Sequence, residues 1–193
     1  MSVARHSFTP LQRTLHWVMA ICIIAMLFIG VGMVSTVAPT YLPLISIHKS
    51  LGALILVLAL IRLAVRLYSG APPLPADLPA PMKLAASLSH YALYGLMIAM
   101  PLLGWAMLSA AAYPVVLFGG IRLPAILPQS DSLHTLLWGA HYYLAFVFFA
   151  LVLMHLAAAL FHALVRHDGV FAAMAPVPIR DEVHGVTGAR PAE

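Results

Sequence analysis

The sequence predicts an all-α integral membrane protein, a bundle of four transmembrane helices with both termini in the cytoplasm. Of the 193 residues, 63% are hydrophobic and only 8% are charged, a composition far outside the range of soluble domains. Four apolar stretches are each long enough to cross a bilayer. The basic residues are scattered beside these stretches, so the net charge of +4 indicates membrane topology and not nucleic-acid binding.

The chain divides into four predicted spans and a polar tail. After Thr9-Pro10, a pair typical of a helix start, the spans cover residues 15–37, 47–67, 88–111 and 136–165. Residues 1–175 are expected to form one transmembrane domain and residues 176–193 a mobile cytoplasmic tail. A proline-rich connection that cannot be helical separates the second and third spans. The segment from Tyr113 to Leu133 is predicted to be a loop.

The positions of the basic residues predict the orientation of the bundle. Eight of the ten Lys and Arg residues lie on the side of the termini, and two lie on the opposite side. Because Lys and Arg are enriched on the cytoplasmic side of membrane proteins, we expect both termini there. The eight are Arg5, Arg13, Arg62, Arg66, Lys83, Arg166, Arg180 and Arg190, and the two are Lys49 and Arg122.

The fourth span carries histidines at a spacing that suggests two binding sites. The fourteen positions from His141 to His155 complete about four helical turns less 40°, so both imidazoles leave one helix face about 21 Å apart along the axis. That is most of the depth of a hydrocarbon core about 30 Å thick. A histidine in lipid is costly and needs a partner, which for a single example can simply be a hydrogen bond to a neighbouring helix. Two histidines on one helix face, at different depths, favour two stacked binding sites.

Partners at matching depths occur on the first two spans. His16 begins the first span and is expected at the inner, cytoplasmic depth, whereas His48 begins the antiparallel second span at the outer depth. The fourth span enters from outside, so His141 is outer and His155 is inner. The pairings that this allows are His48 with His141 and His16 with His155.

Paired imidazoles in lipid match haem better than a bare metal ion. Zinc usually takes four ligands, often with thiolate or carboxylate among them, and neither occurs at these depths. Haem needs only two axial ligands, and its apolar body suits a helix bundle. Cys22 is the one cysteine, which excludes the attachment motif of a c-type haem. We therefore predict two non-covalent b-type haems, with iron ligands His16, His48, His141 and His155.

Several other residues have both a structural and a functional interpretation. Arg62 follows His48 by fourteen residues and is thus at inner depth, where it either neutralises a haem propionate or snorkels to the interface. Gly30 is expected at outer depth and Gly52 one turn after His48, either beside the outer haem or at a close helix contact. Three histidines that lie outside the predicted spans are expected to face water, namely His134, His167 and His184.

One set of residues is found together in a known family. They are His16-Trp17, His48 followed by Gly52, Arg62 and Arg66, the proline-rich link into His90, Pro101, and His141 with His155. Over residues 10 to 175 the chain resembles the prokaryotic cytochrome b561 family. The resemblance implies a four-helix diheme cytochrome of the bacterial inner membrane that exchanges electrons with quinone and, in stand-alone members, oxidises superoxide at the periplasmic face. The compact four-span length favours the stand-alone type, whereas Asp77, in a link with few basic residues, departs from some members.

Charge and resemblance together predict a superoxide:quinone oxidoreductase with ubiquinone as acceptor. Lys49 and Arg122 outnumber the one acidic residue on the outer side, and the weakly positive surface would steer a small anion toward the outer haem. His162 follows His155 by seven residues and is expected at the quinone, whose reduction takes up protons, or simply at the wet end of a helix. Membrane lipid, quinone and superoxide are the expected partners.

Two other functions remain open. The chain could be a quinol-oxidising cytochrome b subunit that passes electrons to or from a partner redox enzyme. A histidine-lined ion or proton transporter is the alternative of another class. A transporter relay would more naturally include carboxylates within the spans, and every Asp and Glu of this chain lies in a predicted loop or tail.

Overall fold

Four long helices make up most of the fold. The computed structural model describes residues 7–36 and 38–176. Each long helix, the last together with the turn that follows it, is long and apolar enough to cross a membrane, which confirms the predicted class of fold. The bounds are α1 Pro10–Val34, α2 Tyr41–Ser69, α3 Ala80–Ala110 and α4 Asp131–Phe161. The predicted tail, apart from Pro176, lies outside the described residues, as do Arg5, Arg180, His184 and Arg190.

Local sequence determines where two of the helices begin. Ahead of α1, the Thr9 hydroxyl accepts a hydrogen bond from the Gln12 backbone N–H at 3.2 Å, and the Gln12 side chain accepts one from the Thr9 N–H at 3.0 Å. This capping box, with Pro10 at the first helical position, confirms the predicted helix start. At the start of α4, the Ser130 hydroxyl accepts from the Leu133 N–H in the same way.

Consecutive helices pack against each other, α1 on α2, α2 on α3 and α3 on α4. The start of α1 and the end of α2 meet where the Gln12 amide donates to the Gly70 carbonyl at 2.9 Å, so these helices are antiparallel. One end of the bundle therefore carries the starts of α1 and α3 and the ends of α2 and α4; we name it the terminal end. The opposite end, which carries the connection between α3 and α4, is the loop end.

An apolar core occupies the middle of the bundle. Its buried side chains are Met19, Ile23, Ile55, Ala59, Met97, Met100 and Phe148. Phe148 lies seven residues from both His141 and His155, about 10 Å along α4 from each. Packed side chains therefore lie between the two histidine depths.

A short β-hairpin lies between α3 and α4, where the sequence predicts only a loop. Strand β1, Val115–Val116, pairs antiparallel with β2, Arg122–Leu123, around a 3₁₀ turn at Phe118–Gly120. Strands of two residues are too short for an alternating pattern to identify them in a sequence. The Phe118 N–H donates to the Ser50 hydroxyl at 3.0 Å, which holds the hairpin against α2.

Beyond α4 the chain turns back across the terminal end. A π-helical turn at His162–Arg166 is followed by His167 in the left-handed conformation, with φ 49°, and then by α5, Val170–Met174. The indole Nε1 of Trp17 donates to the Met174 carbonyl at 2.9 Å. This contact fastens α5 to the first turns of α1.

Two of the histidines expected to face water differ in their surroundings. His167 is exposed. His134 lies inside α4, and its Nδ1 forms a 2.9 Å hydrogen bond with the Met107 carbonyl, so that expectation is wrong. The reason is that α4 begins with a polar first turn at Asp131, ahead of its apolar stretch.

Candidate functional site

Four histidines on three helices meet in two pairs. At the terminal end, the ring centroids of His16 on α1 and His155 on α4 are 6.3 Å apart, with an interplanar angle of 64°. At the loop end, the ring centroids of His48 on α2 and His141 on α4 are 6.1 Å apart, with an angle of 67°. These are the pairs that depth matching predicts, one at each end of the bundle.

The spacing within each pair suits a metal held between two imidazoles. A metal–imidazole bond of about 2.0–2.1 Å, with the ring centre about 1.1 Å beyond the nitrogen, puts the centres of two coaxial rings about 6.2–6.4 Å apart. The observed 6.3 and 6.1 Å are close to this range. In the described part of the chain, no group of three or more His, Cys, Asp and Glu side chains is arranged to hold a bare metal ion. The donors present fit a haem, which supplies its own four equatorial ligands.

The loop-end pair contains buried polar atoms without hydrogen bonds. The Nδ1 atoms of His48 and His141 are buried and make no hydrogen bond of good geometry, although the backbone of Met100 interacts with the His141 ring. A buried polar atom left unsatisfied costs about 1–3 kcal/mol. Buried polar atoms left without a hydrogen bond in a folded protein often have a functional reason, so these rings suit a ligand-binding role.

Glycines from two helices approach the loop-end imidazoles closely. A Cβ atom added to Gly104 of α3 would lie 3.4 Å from Cε1 of His141, and one added to Gly30 of α1 would lie 3.9 Å from Cε1 of His48. Gly30 is at the depth predicted for it. The sequence analysis does not predict a role for Gly104, although its position along α3 places it at the depth of the loop-end imidazoles. A Cβ at Gly52 would instead meet Cε of Met26 at 3.7 Å, which favours helix packing there.

His90 of α3 is a third imidazole at the terminal end, and the sequence did not suggest a role for it. Its ring centroid lies 5.6 Å from that of His155. Its Nδ1 forms a 2.6 Å hydrogen bond with the Ala86 carbonyl, so this nitrogen carries the ring proton. The depth argument that places His16 could have found it, because His90 also stands near the start of a span that begins at the terminal end.

Arg62 lies inside the terminal-end site and does not extend away from it. Its Nη2 is 2.9 Å from Nδ1 of His16. Its guanidinium carbon lies 5.3 Å from the centroid of the Tyr94 ring. The same end holds Arg13, whose Nε is buried without a hydrogen-bond partner. The terminal end therefore offers positive charge and free donors to an anionic group.

His162 stands at the start of the π-helical turn and belongs to a chain of charged contacts. Its Nδ1 is 2.7 Å from Oδ2 of Asp168, which also accepts from Nε of Arg166 at 2.8 Å. Arg166 continues through Nη2 to Asp77 at 2.7 Å. Burial by itself would raise the pKa of the Asp168 carboxyl, but the hydrogen bonds from Arg166 and His162 outweigh burial and hold that pKa below its ordinary value.

The charged residues predicted at the outer side lie at the loop end. Lys49 is half-buried next to His48, and Arg122 and Asp131 are exposed. The carboxylates among the described residues are Asp77, Asp131 and Asp168, and each lies in a connection or at a helix start. A carboxylate relay through the bundle, which would favour the transporter alternative, is therefore not formed by the described residues.

Comparison with known proteins identifies the family. The model of the family described as prokaryotic cytochrome b561 matches residues 7–176. Cytochrome b561 homolog 2 of Escherichia coli K12 is 33% identical over 156 residues, which cover 79% of this chain and 82% of the relative. Cytochrome b561 homolog 1 of the same organism is 29% identical over 177 residues, or 88% and 97% of the two chains. A protein named probable superoxide oxidase CybB, from Yersinia pestis, is 30% identical over 171 residues, or 88% and 96%.

These matches cover nearly all of the described chain. The family model covers all four membrane helices and ends just after α5. Membership implies electron transfer in a membrane and the binding of b-type haem. The chain belongs to the prokaryotic cytochrome b561 family and is a multi-pass membrane protein.

Proposed function

We propose that the chain is a diheme cytochrome that carries single electrons between the two ends of its bundle. His48 and His141 would hold one b-type haem at the loop end, and His16 and His155 a second at the terminal end. The proposal rests on the two imidazole pairs within one helix bundle. The ring centroids are 6.1 Å apart in one pair and 6.3 Å apart in the other. Fourteen residues of α4 separate the two depths, about 21 Å along the axis. When bound, haem supplies the one-electron chemistry that side chains cannot.

Arg62 is proposed to bind a haem propionate at the terminal end. A guanidinium only donates hydrogen bonds, so its contact with His16 requires Nδ1 to be the unprotonated nitrogen. An imidazole that binds iron through Nε2 carries its proton on Nδ1 and has no acceptor left there. Arg62 must then leave this nitrogen, and a carboxylate is the partner that its geometry suits best.

The terminal end is proposed to face the cytoplasm, with the protein in the bacterial inner membrane. Among the described residues, five basic side chains lie toward the terminal end and two at the loop end. The five are Arg13, Arg62, Arg66, Lys83 and Arg166, and the two are Lys49 and Arg122. The excess of basic residues at one end follows the positive-inside rule. The loop end and its hairpin would then face the periplasm.

Superoxide is the proposed electron donor at the loop end. Lys49 directly follows the proposed ligand His48, and with Arg122 it gives this end a weak positive charge that attracts a small anion. The similarity to the probable superoxide oxidase CybB supports the same donor. Each superoxide that loses one electron becomes O₂, and this step needs no proton at that end.

Ubiquinone is the proposed acceptor at the terminal end. Two superoxide ions, one quinone and two protons would give two O₂ and one quinol. His162 lies seven residues beyond His155 toward the end of the helix, and its side chain is 12% exposed. An imidazole at the edge of the membrane can pass protons from water to a bound quinone. This is the role we propose for His162.

Stopped-flow mixing of the oxidised protein with superoxide tests the proposed direction. We expect rapid growth of the reduced haem α-band, at a rate that falls with rising salt because the encounter is steered by charge. A Lys49→Glu variant should be several-fold slower, on the order of the effects that steering produces. An Arg122→Gln variant, which removes one positive charge at an exposed site in the hairpin, should slow haem reduction less than Lys49→Glu does.

Electron flow in the opposite direction, from quinol to a partner enzyme, predicts a different outcome in the same stopped-flow experiment. If the haems are reduced no faster than superoxide decays spontaneously, and are instead reduced rapidly by quinol, the chain is a quinol-oxidising cytochrome that serves a partner enzyme. A purified protein without a Soret band would exclude both redox functions and leave the transporter alternative.

A further inference from the structure

Asp168 is a buried carboxylate that closes back onto His162. Its Oδ2 accepts from Nδ1 of His162 and from Nε of Arg166, and its Oδ1 accepts from the Val170 backbone N–H at 3.3 Å. The side chain of Asp168 is only 8% exposed. An ionised carboxylate at such a site is stable only when its lone pairs are satisfied, as they are here.

An unusual backbone path brings Asp168 under His162. The residues from His162 to Arg166 form a π-helical turn, a feature that often marks functional sites. His167 then adopts a left-handed conformation with φ 49°, which a residue with a side chain takes up only at a cost. This path lets the carboxylate six residues later reach back to Nδ1. A regular helix would carry Asp168 onward along the axis instead.

The charged groups around His162 determine which ring nitrogen carries a proton. Asp168 faces Nδ1, Arg166 donates to the same carboxylate oxygen, and Asp77 of the connection between α2 and α3 binds Arg166. An ionised carboxylate can only accept hydrogen bonds, so Nδ1 is the donor in this contact. The remaining nitrogen, Nε2, is then the one free to gain and lose a proton.

We infer that Asp168 is a positioning residue that holds His162 with Nδ1 protonated, so that Nε2 exchanges protons with quinone. The inference rests on the proposed quinone site. In each of two steps an electron reaches the quinone, Nε2–H transfers its proton to a quinone oxygen, and water at the terminal end returns a proton to Nε2. Asp168 stays ionised throughout and stabilises the positively charged imidazolium present before each transfer, as a carboxylate does for a catalytic histidine.

Single-turnover oxidation of the pre-reduced holoprotein by a short-chain ubiquinone tests the role of Asp168 without superoxide. We expect Asp168→Asn to slow haem reoxidation at saturating quinone by about tenfold or more, the lower end of general acid–base effects. The quinone concentration at half-maximal rate should change little, because the variant alters proton transfer and not quinone contact. The solvent deuterium isotope effect should rise, and Asp168→Glu should restore most of the rate.

Asp77→Asn is the matched control. It makes the same chemical change at the far end of the same chain of contacts, where the carboxylate is 72% exposed and its ion pair contributes little. Its reoxidation rate should stay within about twofold of the original protein. The double variant His162→Ala/Asp168→Asn should be no slower than His162→Ala alone, because Asp168 acts through His162.

The outcomes separate this inference from the quinone site on which it rests. If His162→Ala leaves reoxidation unchanged, the proposed quinone site is wrong. If His162→Ala slows the reaction but Asp168→Asn behaves like Asp77→Asn, the quinone site stands and the role of Asp168 is wrong. A slower Asp168→Asn variant with an unchanged isotope effect would likewise overturn that role, because it would indicate only a disturbed fold.

Discussion

Arg62 of α2 lies 2.9 Å from Nδ1 of His16 on α1, inside the end of the bundle where three imidazoles meet. The contact joins the Arg62 guanidinium to one of the two proposed iron ligands of this site. Because arginine cannot accept a hydrogen bond, this arrangement and iron binding through Nε2 of His16 exclude each other. Binding of haem and movement of Arg62 onto an anionic group are therefore linked.

Replacement of Arg62 by glutamine should lower the reduction potential of the terminal-end haem. A nearby cation stabilises the reduced haem, which has one negative charge more, so its loss favours the oxidised form. A tenfold change in the one-electron equilibrium corresponds to about 60 mV, and we expect a decrease of this order. Optical redox titration of the two haems measures the change.

Arg66→Gln is the control for this prediction, because Arg66 lies one turn further along α2 and stacks on the Phe8 ring, 5.5 Å from its centroid. Its effect on either potential should be clearly smaller. Equal shifts of the haem potential in both variants would mean that Arg62 acts only as one of several positive charges at the terminal end.

Gly104→Val should remove the loop-end haem and leave the other in place. A Cβ at this position already reaches 3.4 Å from the His141 ring, and the branched side chain would push that ring from its place. Haem content should fall from about two to about one per chain, because each haem needs two axial ligands. Gly95→Val on the same helix is the control, since a Cβ there meets nothing within 4 Å. Equal haem loss in both variants would contradict the assignment.

Acidification should loosen the segment that carries Asp168. The folded-state pKa of this carboxyl lies below its ordinary value of 3.8, so its contribution to stability is present above that value and is lost as the pH falls through the depressed folded pKa. Protection of the backbone amides of residues 168–174 against hydrogen exchange, corrected for the intrinsic rate, should fall in the window below about pH 4. Asp168→Asn should have lower protection that no longer depends on pH in this window. A pH dependence that persisted in the variant would assign it to another group.

Much of the site could be predicted from sequence because two regularities of membrane helices determine depth. A helix advances by a fixed rise per residue, and consecutive spans run in opposite directions. These rules are sufficient to pair His48 with His141 and His16 with His155 before any coordinates are known. The capping box at Thr9 was predictable for a similar reason, since it depends on residues only three positions apart.

The remaining features depend on contacts that no spacing rule contains. Asp168 reaches His162 only because a π-helical turn and a left-handed residue reverse the chain direction. The His134 hydrogen bond to Met107 depends on how α4 packs on α3. His90 was within reach of the depth argument, but its distance from His155 depends on the rotation of α3 about its own axis. Packing determines that rotation, and a periodic sequence pattern leaves it open.

Haem content and ligation in the purified protein and in four single variants test the central claim most directly. Haem quantitation together with near-infrared magnetic circular dichroism should find two low-spin bis-histidine haems per chain. His48→Ala and His141→Ala should each remove the same haem, and His16→Ala and His155→Ala should each remove the other, because each haem depends on both of its ligands. Retention of two low-spin bis-histidine haems in all four variants, or the absence of haem from the original protein, would contradict the account.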